Sequence, residues 1–389
     1  MKTIIPMVAM MAMPFGGMAQ TLGSGLNSAD FDKTAQPGDD FYQFACGGWI
    51  KNNPLPAAYS RYGSFERLAE DNNVRINGIL AGLLKGHYAQ GTVEQKLSDY
   101  YKLAMDSVRR NKEGVKPLLP LLKEMDKAKD VKALKALQVK YAAEGYGVPM
   151  GMSFAADEKN ASRNILNVYQ GGITLGQKEY YIDNDEATTA IREAYKKHIV
   201  RMFGFFGYKQ KAAEQKMRNI LDVETALAKA SKSRTELRDV EANYNKMTLA
   251  QFKQNYPAFD LEALCQAQHI KSADIQEMVV GQPSFMVGAN QYFSHISADA
   301  LRDYMEWQAV CSAANYLSDE VEAANFDFFG KTMRGRQQNF PRWKRATNMV
   351  EGQMGEALGR MYVKQFFPPA AKERMEKLVK NLQTSLAER

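Results

Sequence analysis

Apolar residues recur at the three- and four-residue spacing of amphipathic helices along most of this 389-residue chain. The pattern is clearest in 65–84 and 93–104. Pro117 and Pro120 open a shorter helical pattern that ends at Ala128. Further helical patterns cover 131–144, 187–206, 209–230, 248–256, 298–324, 345–366 and 371–389. The chain is therefore predicted to be mainly α-helical and to form one large multi-helix domain.

The hydrophobic period changes from helical to alternating between residues 150 and 170. Two short runs, 150–154 and 164–169, flank the polar segment 157–160. Ile165, Asn167 and Tyr169 alternate with residues of the opposite face, as in a strand. This segment is predicted to be a small β-hairpin, and 276–287 is interpreted as a region that can hold one more strand.

The first 19 residues are typical of a secretory signal peptide. Lys2 supplies the positive end, an apolar run covers 4–13, and Gly17-Met18-Ala19 places small residues before a cleavage site at Gln20. Residues 20–38 are interpreted as an extended lead-in and 39–389 as the helical domain. No later stretch has the length and apolarity of a transmembrane helix. We therefore expect export to a periplasm or the cell exterior, without a stable membrane span.

Composition and charge narrow the class of protein further. The chain is 45% hydrophobic and 24% charged, with three cysteines, which excludes a disordered chain and a disulfide-dense scaffold. The net charge of +7 is spread along the sequence, and the densest basic stretch is 334–345. A solvated basic face is the preferred interpretation of that stretch over a weak anion-binding patch, and no nucleic-acid partner is expected.

Metal-binding motifs are not evident in the sequence. None of the four histidines is followed by glutamate, so the H-E-x-x-H zinc motif is not present in these 389 residues. Cys265 and His269 are four residues apart and could share a helix face, but no further ligand lies nearby, which favours a structural role. No metal site is predicted.

Two glycine-containing segments need an interpretation. Residues 325–332 read NFDFFGKT, which falls short of a phosphate-binding loop and is interpreted as an aromatic helix end that Gly330 terminates. Gly352, Gly355 and Gly359 lie within a helical pattern and are interpreted as sites of close helix packing. Residue chemistry alone therefore predicts no self-sufficient catalytic site. The helical pattern continues to Arg389 without a capping signal, from which we expect the polypeptide to continue.

Four segments in order resemble the neprilysin and endothelin-converting-enzyme family of zinc metalloendopeptidases, which includes bacterial oligopeptidases. Residues 39–51 read DDFYQFACGGWIK, and SRYGSF follows at 60–65. The other matches are GGITLGQKEYY at 171–181, YNKMTLAQ at 244–251 and the helical segment 343–363, which begins Trp-Lys-Arg. The resemblance covers about residues 30–389 and implies the N-terminal helical part of such an enzyme, a domain that caps the catalytic half.

The resemblance implies that the catalytic residues lie in a different part of the enzyme from this helical domain. In that family the H-E-x-x-H motif, the third zinc ligand and the Asn-Ala substrate clamp follow the helical part, so the catalytic zincin half is absent from this chain. Zinc is then the cofactor of the complete enzyme, and none is bound by these residues. The partners that follow are peptide substrates and the missing catalytic half. The chain alone is expected to be inactive.

Two residues carry implied roles. Arg61 matches the family arginine that pairs with the carboxylate end of short substrates, while a second family arginine falls on Ala69 here. Cys46 lies where the family often has a cysteine bridged to the catalytic half, and a buried free cysteine is the alternative. Two other functions stay open from sequence alone, which are a non-catalytic exported peptide-binding module and a helical glycan- or polymer-binding surface protein.

Overall fold

The computed structural model describes residues 26–388, which form two compact units, 26–56 and 57–388. The predicted signal peptide, 1–19, and the first part of the predicted lead-in lie outside the described residues. In the described part of the chain, sixteen α-helices accompany one small four-stranded sheet. The prediction of a mainly α-helical fold is confirmed.

The unit 26–56 contains a 3-10 turn at Ser28–Asp30 and one α-helix, α1, at Phe41–Asn52. The Asp40 side chain accepts a hydrogen bond from the backbone N–H of Gln43 at 2.8 Å, which satisfies one of the unpaired donors at the helix start. The Gln43 side chain in turn donates to Asp32 at 2.8 Å. The described lead-in is therefore folded into turns against α1 instead of being extended throughout.

The remaining fifteen helices and all four strands belong to the unit 57–388. Most predicted helices are found, and the pattern at 298–324 is divided into two helices by a 3-10 turn, Ala314–Tyr316. The helices are α2 Ser64–Leu83, α3 Val93–Met105, α4 Ser107–Glu113, α5 Leu119–Lys127, α6 Val131–Lys140, α7 Glu179–Ile182, α8 Glu186–Phe205, α9 Gln210–Ala230, α10 Leu249–Asn255, α11 Leu261–Ala267, α12 Pro283–Ser294, α13 Ala298–Ala313, α14 Asp319–Phe326, α15 Arg342–Phe366 and α16 Pro369–Ala387. The strands are β1 Met150–Asp157, β2 Asn160–Gln170, β3 Lys246–Thr248 and β4 Glu277–Val280.

The predicted hairpin forms as β1 and β2, which pair antiparallel with Met150 opposite Gln170. The strand order in the sheet is β1-β2-β4-β3, with β2 and β4 parallel and β3 and β4 antiparallel. The strand expected within 276–287 is short, because α12 begins at Pro283, a residue suited to the first turn of a helix.

Two separate hydrophobic cores hold the larger unit together. The main core surrounds α8, α9, α12 and α13, where the largest fully buried side chains include Trp307, Tyr195 and Tyr304. The second core joins α2, α3 and α15 through residues such as Leu80, Leu97 and Ala346. Because α15 packs on α2, sequence near residue 345 determines where the start of the unit lies.

The structure contradicts both interpretations of the helical glycines. Gly330 lies inside a π-helix, Asp327–Thr332, and the glycine in the left-handed conformation comes later, at Gly335 with φ 71°. A Cβ atom built on Gly352, Gly355 or Gly359 would meet no heavy atom of the described residues within 4 Å. These glycines therefore do not serve close helix packing in this structure.

Candidate functional site

Arg61 lies three residues before α2 and faces solvent. Its side chain is 89% exposed, and its Nε donates to the Glu66 carboxylate in the first turn of α2 at 3.0 Å. The two Nη nitrogens make no hydrogen bond to any residue within 26–388. Glu66 therefore fixes one edge of the guanidinium, and the Nη pair is left for a second carboxylate in the bidentate geometry that arginine favours.

The backbone just before Arg61 is fastened to the loop between the π-helix and α15. The Ala57 carbonyl accepts hydrogen bonds from the backbone N–H groups of Gln337 and Gln338, both at 2.9 Å. The Ala58 carbonyl accepts one from Nε of Arg336 at 2.8 Å. Residues about 280 positions away in sequence thus hold the segment that carries Arg61.

A buried polar cluster next to this segment ties α15 to α2. Nζ of Lys344 donates to the Tyr59 hydroxyl at 2.6 Å and forms an ion pair with Glu70. The Tyr59 hydroxyl also donates to Glu70, and Nζ of Lys344 lies 3.8 Å from the ring centroid of Phe340. A cation held by a carboxylate and an aromatic face fixes its neighbours, which restricts the motion of the residues that precede Arg61.

Sequence reasoning did not find this supporting cluster. Lys344 and Arg336 belong to the stretch 334–345, which was interpreted as a solvated basic face, yet Lys344 is only 3% exposed. Their partners, Glu70 and Ala58, lie more than 270 residues earlier. No local pattern connects such distant positions, so the solvated-face interpretation of these residues is wrong.

Cys46 lies in α1, in the unit 26–56, and is partly buried with a free thiol. Cys265 and Cys311 are free as well, so the three thiols form no disulfide with one another. Arg61 belongs to the other unit. Cys46 and Arg61 therefore belong to separate units, and the pairing of Cys46 with further sequence stays a prediction.

The described residues do not assemble a metal site. Within 26–388, no group of three or more His, Cys, Asp or Glu side chains is arranged to hold a metal ion. Cys265 is buried in α11, where burial raises the pKa of its thiol to about 11. His269 lies beyond the end of that helix with φ 63°, so the expectation that these two residues share a helix face is wrong.

Two buried titratable groups of the main core do not form an active site either. His198 stacks on the Phe328 ring at 4.9 Å, and burial lowers its pKa to about 3, which keeps the imidazole neutral. Glu224 has no exposed surface and accepts hydrogen bonds from the hydroxyls of Tyr181 and Tyr195 at 2.8 and 2.9 Å. Neither side chain is accessible to a substrate in this structure.

Comparison with known proteins decides the family. Residues 37–389 match the sequence model described as peptidase family M13. The chain belongs to peptidase family M13. Mouse endothelin-converting enzyme 1 is 28% identical to this M13 chain over 375 residues, which are 93% of the chain and 48% of that enzyme. The resemblance inferred from the ordered motifs is confirmed.

Solved structures agree with this membership. The Mycobacterium tuberculosis zinc metalloprotease Zmp1 in complex with an inhibitor superposes with a TM-score of 0.86 at 30% identity. The superposition covers 93% of the M13 chain and 54% of the Zmp1 chain. PepO from Lactobacillus rhamnosis superposes with a TM-score of 0.76 at 18% identity, which supports the fold alone. The M13 chain spans about half the length of these relatives, in their N-terminal part.

One structural finding concerns membranes. Among the helices described within 26–388, none combines the length and apolarity needed to cross a bilayer.

Proposed function

We propose that this M13 chain is the helical, substrate-enclosing part of a zinc-dependent endopeptidase that cleaves short peptides. The observation that carries the proposal is the match of residues 37–389 to the peptidase family, together with the superposition on a zinc metalloprotease. The chain spans only about half the length of its relatives. The peptidase activity is therefore proposed for the complete protein and not for these 389 residues alone.

The catalytic zinc is assigned to sequence outside these 389 residues. A structural zinc or catalytic zinc needs three or four N, S or O ligands around one point, and the described residues provide no such group. Their contribution is to bind the peptide and to limit access to it.

Arg61 is the residue that we assign to substrate binding. Its free Nη edge suits the terminal carboxylate of a short peptide. Glu66 holds the Nε of Arg61, and the cluster around Lys344 holds the residues that precede Arg61. A hydrogen bond between charged groups contributes on the order of 1.5–3 kcal/mol, so loss of the guanidinium corresponds to roughly a tenfold to hundredfold loss in affinity for the carboxylate.

The exposed face of α16 supports the assignment of a second half. No residue of Pro369–Ala387 is buried, and five large apolar side chains recur along one face of the helix. We assign this face to the sequence that completes the enzyme, and Cys46 to a disulfide with that same sequence. The predicted leader at 1–19 supports export to a periplasm or the cell exterior. The apolar side chains are Met375, Leu378, Val379, Leu382 and Leu386.

The test uses the full-length gene product and a fluorogenic peptide offered with either a free or an amidated C-terminus. Activity should disappear with a zinc chelator and return when zinc is restored. Arg61→Met should lower kcat/KM for the free-acid peptide roughly tenfold or more and leave the amidated peptide unchanged. Arg218→Met, which removes an exposed arginine on α9, is the matched control.

Two results would contradict different parts of the proposal. Absence of hydrolysis for every peptide, with retained peptide binding, would replace the enzyme by the non-catalytic binding module. Equal losses on free-acid and amidated peptides in Arg61→Met would remove the carboxylate role of Arg61 and leave the peptidase assignment intact.

A further inference from the structure

A polar cavity of about 270 Å³ lies between the end of α14, the π-helix and the start of α15. Three arginines, Arg334, Arg336 and Arg345, line it together with four asparagines. Of the residues that line the cavity, Glu322 is the one acidic side chain. The cavity is far larger than the roughly 10–15 Å³ that a single water needs, and its three arginines outnumber its one acidic side chain, so the lining carries a net positive charge.

The single carboxylate in the lining is already saturated by arginines. Glu322 is 3% exposed, and one of its oxygens pairs with Nη1 of Arg345. Its other oxygen accepts a hydrogen bond from Nη2 of Arg110 at 3.3 Å and forms an ion pair with Nη2 of Arg342 at 3.2 Å, which also pairs with Asp319. Three guanidinium groups share the Glu322 carboxylate, and Glu322 forms no ion pair with Arg334 or Arg336, which also line the cavity.

Several guanidinium donors at this place have no acceptor. Nε of Arg336 is used by the Ala58 carbonyl, but its buried Nη2 makes no hydrogen bond, and the same is true of the buried Nε of Arg345. The Arg334 side chain is exposed and has no hydrogen-bond or ion-pair partner among residues 26–388. Buried donors are normally satisfied, so unpaired ones beside a cavity indicate that something else accepts from them.

Repulsion between the arginines adds to this deficit. Burial and the charge of Arg334 both lower the pKa of the Arg336 guanidinium, although arginine stays protonated in proteins. The Arg336 guanidinium is stacked 4.2 Å from the ring centroid of Phe340 and 5.1 Å from that of Phe326, which fixes its position. An anion between the arginines would relieve the repulsion without moving them.

We propose that this cavity binds a small oxyanion of the phosphate or sulfate type, with Arg334, Arg336 and Arg345 as its cationic ligands. A planar guanidinium matches the oxygen spacing of such anions, and an anion with three or four oxygens can accept from several arginines at once. The asparagine amides in the lining, such as Asn339 and Asn348, supply further donors. The ion can come from solution as the free anion or be carried by a monoester.

The test measures binding to the full-length gene product by isothermal titration calorimetry. Inorganic phosphate, sulfate and phenyl phosphate are titrated separately, with sodium chloride at matched ionic strength as the reference for a general salt effect. We expect saturable binding of phosphate or sulfate with one site per chain. Equal binding of phenyl phosphate would show that esters enter the cavity, and its exclusion would restrict the site to the free ion.

Variants at Arg334 test the proposal directly, because this side chain is exposed and supports no described contact of the fold. A change in anion binding is then not explained by misfolding. Arg334→Gln should weaken phosphate binding roughly tenfold, and the charge reversal Arg334→Glu should abolish it. Arg218→Gln on α9 should leave the titration unchanged. Heat that does not exceed the chloride reference, or saturable binding that Arg334→Glu leaves unaltered, would overturn the proposal.

Discussion

Glu224 is a group whose ionisation we expect to leave a clear mark on the pH dependence of stability. It lies in α9 with no exposed surface, and burial raises the pKa of its carboxyl from 4.5 to about 7. Hydrogen bonds from Thr174, Tyr181 and Tyr195 oppose the effect of burial without cancelling it. The folded protein therefore holds the Glu224 proton more tightly than the unfolded chain does.

The size and sign of the effect follow from linkage. The folded and unfolded pKa values differ by about 2.5, and one unit corresponds to about 1.4 kcal/mol, so Glu224 contributes about 3 kcal/mol that depends on pH. Because the folded pKa is the higher one, this contribution is complete below pH 4.5 and is lost as the pH rises through 7. Glu224→Gln is uncharged at every pH and should show no such loss.

Hydrogen–deuterium exchange of peptides from α9 provides the assay, because it measures local opening without requiring two-state unfolding of a large protein. Wild type and Glu224→Gln are compared at pH 4.5 and at about pH 8, so that intrinsic exchange rates cancel. The opening free energy of wild type relative to the variant should fall by about 3 kcal/mol between the two conditions. Glu158→Gln, at an exposed turn, is the control. Parallel profiles for wild type and Glu224→Gln would refute the reasoning.

Two further substitutions test buried contacts, each against a matched partner. Lys216→Met leaves Asp303 and Glu306, both 2.7 Å from Nζ of Lys216, as buried carboxylates without their cation, so we expect a loss of about 3–5 kcal/mol in the opening free energy of α9. The exposed control Lys211→Met should stay within about 0.5 kcal/mol of wild type, and an equal effect of both would contradict the ion-pair argument. Gly172→Ala places a Cβ 2.9 Å from Cα of Pro149 at φ 78°, whereas Gly176→Ala meets open space at φ 77°. Thermal denaturation should therefore show Gly172→Ala to be less stable than Gly176→Ala by at least about 1 kcal/mol, and equal melting temperatures would exclude the clash.

The long amphipathic helices were predictable from sequence because their burial follows the helical period. In α3, the buried positions Leu97, Tyr101 and Ala104 repeat at intervals of four and three residues, which the hydrophobic pattern shows directly. The hairpin was predictable for a related reason, since Leu166 and Val168 of β2 reach the main core and Tyr169 is exposed, although Ile165 on the opposite face is buried as well.

The short and the fully buried elements escaped prediction for physical reasons. α11 has seven residues, too few to establish a period, and β3 has three. α12 reads PSFMVGANQYFS, in which apolar residues occur on several faces, so periodicity does not separate it from a buried strand. In the π-helix, Phe328 and Phe329 contact His198 on α8, and the local sequence does not reveal such contacts with a distant helix.

The candidate site likewise has a part that the sequence predicted and a part that it did not. Arg61 was identified because it matches a family motif, and its exposure comes from a position just before a helix, where the described residues leave it largely uncovered. The cluster that supports it joins Glu70 to Lys344, and the second core joins α2 to α15. Contacts between residues so far apart depend on the packing of whole helices, which a single sequence does not reveal.

The basic stretch 334–345 shows most clearly what packing adds. Composition alone predicts that its basic side chains are exposed to solvent, because burial of an isolated cation is strongly unfavourable. The structure buries Lys344 against Glu70 and brings Arg342 and Arg345 to Glu322, so α2 and α14 supply the carboxylates that make burial tolerable. These carboxylates are fewer than the arginines around them. The surplus positive charge lies at the cavity that Arg334, Arg336 and Arg345 line, and for this reason an anion is the ligand that we assign to this part of the fold.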